Sequence, residues 1–186
     1  MVSSALPSAP PIVATTDPRE RLSSLFVQHF DQVWRLVRRL GVPPAGVDDA
    51  AQEVFVVASR RLDVIEVGKE KAFLYGTAVR VAADARRTRD RRREAPGSAP
   101  DIAAETPSPE ELVDQKRARE LLDDLIARLP DDTRPVFVLY ELEGMTMAEI
   151  AACLDLAAGT VASRLRRGRE AFHAHVARLD AGRKGA

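Results

Sequence analysis

Apolar residues recur at helical spacing through most of the chain, and the interruptions between these stretches set out three helices, a proline-rich interval and four more helices. Leu22, Leu25, Phe26, Phe30, Val33, Trp34 and Val37 form one stripe that ends near Gly41, followed by the turn Val42-Pro43-Pro44. A second helix is predicted from Val47 to Leu62 with Ala50, Ala51, Val54, Phe55 and Ala58 inward. A third runs from about Lys71 with Leu74, Thr77, Ala78, Val81 and Ala85 inward. Pro96, Pro100, Pro107, Pro109, Gly97 and Ser98 then break the pattern. Order resumes at Ser108, where Ser-Pro-Glu-Glu supplies an N-cap, a first-turn proline and an early glutamate.

In the second half, Glu110 to Leu129 reads as a helix with Ala118, Leu121, Leu122, Leu125 and Leu129 inward, closed by Pro130. Pro135 must lie in the first turn of the next helix, because deeper inside its ring would clash, so Asp132 or Thr133 is the expected cap. That helix turns Val136, Leu139 and Tyr140 inward and stops at Gly144. Thr146 and Glu149 then have the spacing of a capping box, followed by Ile150, Ala151 and Leu154 on one face. After a short break at Asp155 to Ala158, Val161, Leu165, Gly168 and Phe172 share a narrow sector of a last helix. Its opposite face carries Ser163, Arg166 and Arg167. Two short helices around a tight turn, the second rich in arginine, read as a helix-turn-helix.

The expected fold class is therefore all-α, in two small helical domains. The boundaries are a tail over 1–20, a first module over 21–93, an acidic linker over 94–107, a second module over 108–179 and a tail over 180–186. The linker could span at most about 46 Å at full extension, so the modules are expected to reach separate sites while tethered, which raises joint affinity.

Composition narrows the class. A chain of 186 residues, 45% apolar and 5% aromatic, suits a helix-rich protein, and no apolar run approaches membrane-spanning length. The N-terminus lacks a basic start followed by an apolar core, so it reads as a tail and not a signal peptide, and a cytoplasmic location is expected. Cys153, the one cysteine, is expected as a small core residue. His173 and His175 point in different directions on their helix, poor geometry for a metal. No nucleophile, acid–base pair, phosphate loop or metal cluster is legible, so no catalysis, cofactor or metal is expected.

The formal net charge is zero, but the charges are segregated. Arg86, Arg87, Arg89, Arg91, Arg92 and Arg93 form a basic block, and Glu94 to Gln115 contains no lysine or arginine. Local fields govern attraction to a polyanion, so neutrality overall does not exclude DNA. On helix-turn-helix geometry Thr160, Ser163, Arg166 and Arg167 face the major groove, with Arg164 and Arg169 at the margins toward phosphates. The competing reading is a solvated arginine face, and for the basic block a frayed helix end.

Three segments in order carry a family resemblance. Asp48-Asp49-Ala50-Ala51-Gln52-Glu53-Val54-Phe55 comes first. Phe73-Leu74-Tyr75 through Ala82, Asp84 and Arg87 follows. The third runs from Leu129-Pro130 through Glu141-Leu142-Glu143-Gly144, Glu149-Ile150-Ala151, Gly159-Thr160-Val161 and Ser163-Arg164-Leu165. Together they resemble an RNA polymerase sigma factor of the extracytoplasmic-function group, which keeps only the second and fourth sigma domains. The match covers roughly Arg21 to Leu179.

The resemblance implies a non-catalytic subunit that binds core RNA polymerase, through the clamp helices of its largest subunit and its flap region, and directs initiation at minus-ten and minus-thirty-five promoter DNA. It implies that Asp48, Asp49, Gln52, Glu53 and Phe55 meet polymerase, although Asp48 and Asp49 also suit the start of their helix through its dipole. It implies that Phe73, Tyr75, Arg80, Asp84 and Arg87 lie on the promoter-opening helix, and that the loop Val64 to Glu70 stands where the family captures a flipped base. Sigma factors of this group are commonly held inactive by an anti-sigma partner, and no residue here identifies one. Phe73 stands where the family usually has tryptophan, Gly76 where a basic residue is frequent, Arg80 where asparagine is frequent and Ala157 where proline is often found. The alternatives are a two-domain helix-turn-helix regulator acting without polymerase, and a helical adaptor that binds only protein.

Overall fold

The computed structural model describes residues 17–94 and 110–184, so Ser108, Pro109 and nearly all of the linker fall outside the described residues. Within them the chain is helical, with no strand. Helix α1 (Pro18–Arg39) starts where Asp17 accepts a 2.8 Å bond from Arg19 N and proline occupies the first turn. It ends with Arg38 and Arg39 beside its carbonyl end. Gly41, at φ +88°, lets the chain leave the helix in a left-handed conformation. A 3-10 turn (Pro44–Gly46) leads into α2 (Val47–Arg60), with Asp48 and Asp49 in its first turn. Helix α3 (Glu70–Glu94) packs across both, and the three close on Leu25, Val33, Leu36, Val37, Ala51, Val54, Leu74 and Ala78.

The second module comprises α4 (Glu110–Ala127), α5 (Arg134–Glu141), α6 (Met147–Leu154) and α7 (Ala158–Lys184), the last running on past Leu179. Its core is Leu125, Ile126, Leu129, Val136, Phe137, Val138, Leu139, Ile150, Val161 and Leu165. On α4 the inward face is turned from the expected one. Ala118 and Leu121 are exposed, Leu122 is half-buried, and Ile126 is fully covered. Thr133 precedes α5, yet its hydroxyl donates backward to Pro130 O at 3.0 Å instead of capping the helix. The α4 carbonyl end is held by Arg134, whose buried guanidinium donates to Ile126 O (3.1 Å), Ala127 O (2.7 Å) and Leu129 O (2.8 Å).

The two modules also pack on each other, beyond the expectation of bodies joined only by a tether. Near the end of α1, Leu40 O accepts from Arg86 of the first module and from Arg134 of the second at 3.4 Å. Asp131 lies beside both cations, 2.8 Å from Arg134 Nη1 and 3.5 Å from Arg86 Nε. Burial and the neighbouring Arg134 lower the pKa of the Arg86 guanidinium. Arg86 thus belongs to the junction and not to a solvent-facing basic block. Arg38 pairs with Asp123 at 3.0 Å, and Arg39 with Glu143 at 3.0 Å. The Asp123 carboxyl is raised by burial, an effect Arg38 opposes.

Candidate nucleic-acid interface

The helix-turn-helix is built from local signals. Thr146 Oγ1 accepts from Glu149 N at 3.2 Å while Glu149 Oε2 accepts from Thr146 N at 2.7 Å, completing the capping box of α6. The Thr146 N–H, and then the Thr146 hydroxyl donating to the same Oε2 at 2.8 Å, hold the Glu149 carboxyl below its ordinary pKa. Asp155, at φ +52°, closes α6, and α7 begins at Ala158. Val161, Leu165 and Gly168 are buried and Phe172 half-buried, with its ring stacked 5.1 Å from Phe137. The opposite face of α7 is thereby turned outward.

On that face Ser163, Arg166, Arg167 and Arg169 are exposed, while Thr160 and Arg164 are half-buried. Ser163 Oγ donates back to Thr160 O at 3.0 Å. Acids accompany the arginines. Arg166 pairs with Glu170 at 2.9 Å and Arg167 with Asp132 at 2.7 Å, while Arg164 lies 3.9 Å from the same Asp132 oxygen. Arg169 pairs with Glu141 at 2.6 Å and lies 5.1 Å from the centre of the Tyr140 ring. The Glu141 bond raises its pKa, so it stays cationic. These exposed pairs are weak and exchangeable, so phosphates can replace the carboxylates.

The α3 residues are dispersed. Phe73 is half-buried against the core, and Arg80 is exposed with Nη2 3.4 Å from Thr77 Oγ1. Asp84 and Arg87 are exposed and pair with each other. Tyr75 differs from the expected placement, because its side chain is fully buried and its hydroxyl donates to Glu143 Oε2 in the second module at 2.8 Å. Burial first, then that bond, raises the phenol pKa, so it stays protonated. Gly76 is pressed on α6. A Cβ there would lie 2.8 Å from Cys153 O and 3.2 Å from Cys153 Sγ. Glycine inside a helix costs about 0.5–1 kcal/mol relative to alanine, and this close approach is what it makes room for. Cys153, expected as a small core residue, packs partly buried against the core where the two modules meet. Its half-buried thiol donates to Ala72 O at 3.3 Å across the junction, and burial pushes its pKa up to about 11.

On α2, Asp48, Asp49, Gln52 and Glu53 line an exposed polar face. Trp34 Nε1 donates to Asp48 Oδ1 at 2.7 Å, so Asp48 is oriented as well as placed at the helix start. Phe55, which the family resemblance put on this face, is turned inward, with its ring 5.0 Å from that of Phe26 and 6.0 Å from that of Phe30. The helical spacing with Val54 and Ala58 places it inward, and the structure bears that reading out. Phe26, expected in the apolar stripe of α1, is 42% accessible, and Val27 (78%) and Val56 (38%), which the spacing did not single out, are exposed as well. In the connection to α3, Arg21 Nη1 donates to Leu62 O at 2.9 Å, Nη2 binds Ile65 O, and Glu70 accepts from Gly68 N at 2.6 Å. Val64 and Val67 are left exposed on this braced loop.

Comparison with known proteins matches both modules. Residues 25–92 match the model of sigma-70 region 2, and residues 119–172 match sigma-70 region 4. The chain is 36% identical over 162 residues to the ECF RNA polymerase sigma-E factor of Escherichia coli K12, covering 80% of this chain and 82% of that one. The chain belongs to the extracytoplasmic-function sigma factors of the sigma-70 family.

Another relative of this sigma factor, ECF RNA polymerase sigma factor SigE of Mycolicibacterium smegmatis, is 33% identical over 153 residues, or 81% of this chain. The match spans 60% of that longer protein. The fold is shared with CnrH in complex with the cytosolic domain of CnrY (TM-score 0.63, 24% identity, 88% of this chain and 90% of that one). It is shared also with RpoE in complex with the anti-sigma factor NepR from Bartonella quintana (TM-score 0.66, 20% identity, 82% of this chain and 94% of that one). Region 2 of this sigma factor is α1 to α3 and region 4 is α4 to α7. Among the described residues no three His, Cys, Asp or Glu side chains gather to hold a metal ion. None of the helices described is long and apolar enough to cross a membrane.

Proposed function

We propose that this sigma factor binds core RNA polymerase through the outer face of α2 and directs initiation by gripping promoter DNA at two places. Asp48, Asp49, Gln52 and Glu53 present carboxylate and amide groups to basic side chains of the polymerase clamp, and Phe26, Val27 and Val56 supply an adjoining apolar contact. Arg80, Asp84 and Arg87 on α3, with the loop carrying Val64 and Val67, meet the opened minus-ten strand. Thr160, Ser163, Arg166 and Arg167 on α7 read the minus-thirty-five major groove, with Arg164 and Arg169 on flanking phosphates. The chain contributes binding and no chemistry, works in the cytoplasm, and offers an anti-sigma partner the same faces it offers polymerase.

The observation that carries this reading is the coexistence, in one chain, of region 2 with its exposed acidic α2 and region 4 with its outward arginine face. The test is in vitro transcription from fragmented genomic DNA by core polymerase with and without the chain, with start sites mapped. Start sites that depend on the chain are expected. Arg166→Ala with Arg167→Ala should abolish most of them and lower the salt slope of duplex binding by about two. A chain that binds duplex DNA but produces no transcript with core polymerase would be a regulator of another kind. A double variant of full activity would leave only the protein-binding adaptor.

A further inference from the structure

We propose that Arg21 and Glu70 are positioning residues for strand capture: they hold the connection between α2 and α3 in its strand-binding shape before DNA arrives. This rests on the minus-ten role proposed above for that connection, and names the side chains that make the role possible.

The connection closes two turns of its own, Val64 N to Arg61 O at 3.1 Å and Lys69 N to Glu66 O at 3.0 Å. The rest of its frame comes from the two helices beside it. Arg21, near the start of α1, donates from Nη1 to Leu62 O, 41 positions away in sequence, at 2.9 Å, and from Nη2 to Ile65 O. The same Nη2 lies 3.5 Å from Glu70 Oε1, while Glu70 Oε2 accepts from Gly68 N at 2.6 Å. One guanidinium thus holds the first half of the connection, one carboxylate holds the second, and the two are tied to each other. Leu62, Ile65 and Glu70 are buried, whereas Asp63, Val64, Glu66, Val67 and Lys69 are exposed. Glu66 and Lys69 pair at 2.5 Å. The anchors therefore face protein, and Val64 and Val67 are carried outward on a fixed main chain.

Glu70 is 4% accessible, and a buried ion pair adds little stability over an apolar pair of the same size; its best-attested use is to fix one arrangement among several. Here the arrangement fixed is that of main-chain groups in a connection, not of a helix interface. Unstacked bases of a single strand are held by surfaces already in place. A connection ordered in advance loses no binding free energy to its own ordering, and one that is correctly shaped only part of the time binds more weakly by that fraction. Arg21 and Glu70 therefore act on strand affinity without touching DNA.

The test uses core polymerase assembled with the full chain and a fluorescent single-stranded oligonucleotide carrying a mapped minus-ten segment. Arg21→Ala should weaken strand binding at least about fivefold, and leave affinity for core polymerase and for a minus-thirty-five duplex within about twofold of wild type. Arg21→Lys keeps the charge without the fork and should fall between, and it decides the matter if Arg21→Ala does not fold. Glu70→Gln retains an acceptor for Gly68 N and should lose less strand affinity than Glu70→Ala. In a chain already carrying Val64→Ala and Val67→Ala the loss caused by the Arg21 change should shrink, because the frame has less to position. Amide hydrogen exchange across 62–70 should quicken in the free Arg21 and Glu70 variants. Folded Arg21 variants with wild-type strand affinity, a loss shared equally with polymerase and duplex binding, or a loss undiminished by the valine changes would overturn the positioning role. A wild-type complex that does not bind the strand would instead overturn the minus-ten reading on which the role rests, while hydrogen exchange in the free chain would still decide whether Arg21 and Glu70 order the connection.

Discussion

Arg134→Ala is expected to be among the most damaging single changes in region 4, although Arg134 touches neither proposed DNA face. Its side chain is 7% accessible and holds the carbonyls of Ile126, Ala127 and Leu129, which end α4 and open the turn to α5. Helix ends leave their last carbonyls without internal partners, and here one planar guanidinium answers three of them. Alanine leaves the one at Leu129 buried and unpaired at about 1–3 kcal/mol and the one at Ile126 with only its 3.0 Å bond from Leu129 N, whereas the one at Ala127, an exposed residue, recovers water. Asp131, 69% accessible, is rehydrated at little cost. The expected loss is about 3–5 kcal/mol, the range for breaking a buried charged network, against roughly 5–15 kcal/mol of total stability for a small domain. At about 4–8 °C per kcal/mol, the region 4 melting transition should fall by roughly 12–40 °C in circular dichroism. Arg134→Lys keeps the charge but not the fork, and should fall between wild type and alanine. A loss below about 1 kcal/mol for alanine would refute the reasoning, since it would mean water replaces the guanidinium freely.

Two further outcomes are expected. Thr146→Ala removes the α6 cap and should cost about 1 kcal/mol, measured by urea unfolding. Because the capping bonds depress the Glu149 pKa, their stabilisation is present above the ordinary glutamate range and is lost as pH falls through the depressed value; the variant should therefore lose less stability on acidification than wild type. Asp132→Asn releases Arg164 and Arg167 from a shared carboxylate, and should tighten binding of a mapped promoter duplex by about two- to fivefold in fluorescence anisotropy. Weaker binding would show that Asp132 positions the arginines instead of occupying them.

What the sequence made legible was whatever is written locally. The capping box at Thr146 and Glu149, the break at Asp155 and the inward sector Val161, Leu165, Gly168 are all encoded within a few residues of each other, and the structure bears them out. The α4 face was misjudged at Ala118 and Leu121 because leucines on both sides of that helix satisfy helical spacing equally well. Packing, not periodicity, selected Ile126. Phe55 was assigned outward by likeness of motif although its neighbours placed it inward. The junction was illegible for a different reason. Tyr75 meets Glu143 and Leu40 meets Arg134 across the whole linker, and a pairing between distant segments leaves no spacing to read. Gly76 did stand out as a departure from the family, but only the nearness of Cys153 gives it a physical reason.

The connection between α2 and α3 carries a consequence for how promoter choice can diversify. Arg21 and Glu70 fasten it through the carbonyls of Leu62 and Ile65 and the amide of Gly68, and they leave the outward side chains at Val64 and Val67 uncommitted. A frame that grips the main chain sets no condition on what the outward positions carry. On the proposed function these positions form an interchangeable reading head. Substitutions there can retarget the chain to other promoters while the scaffold, the polymerase contact and the second grip stay as they are.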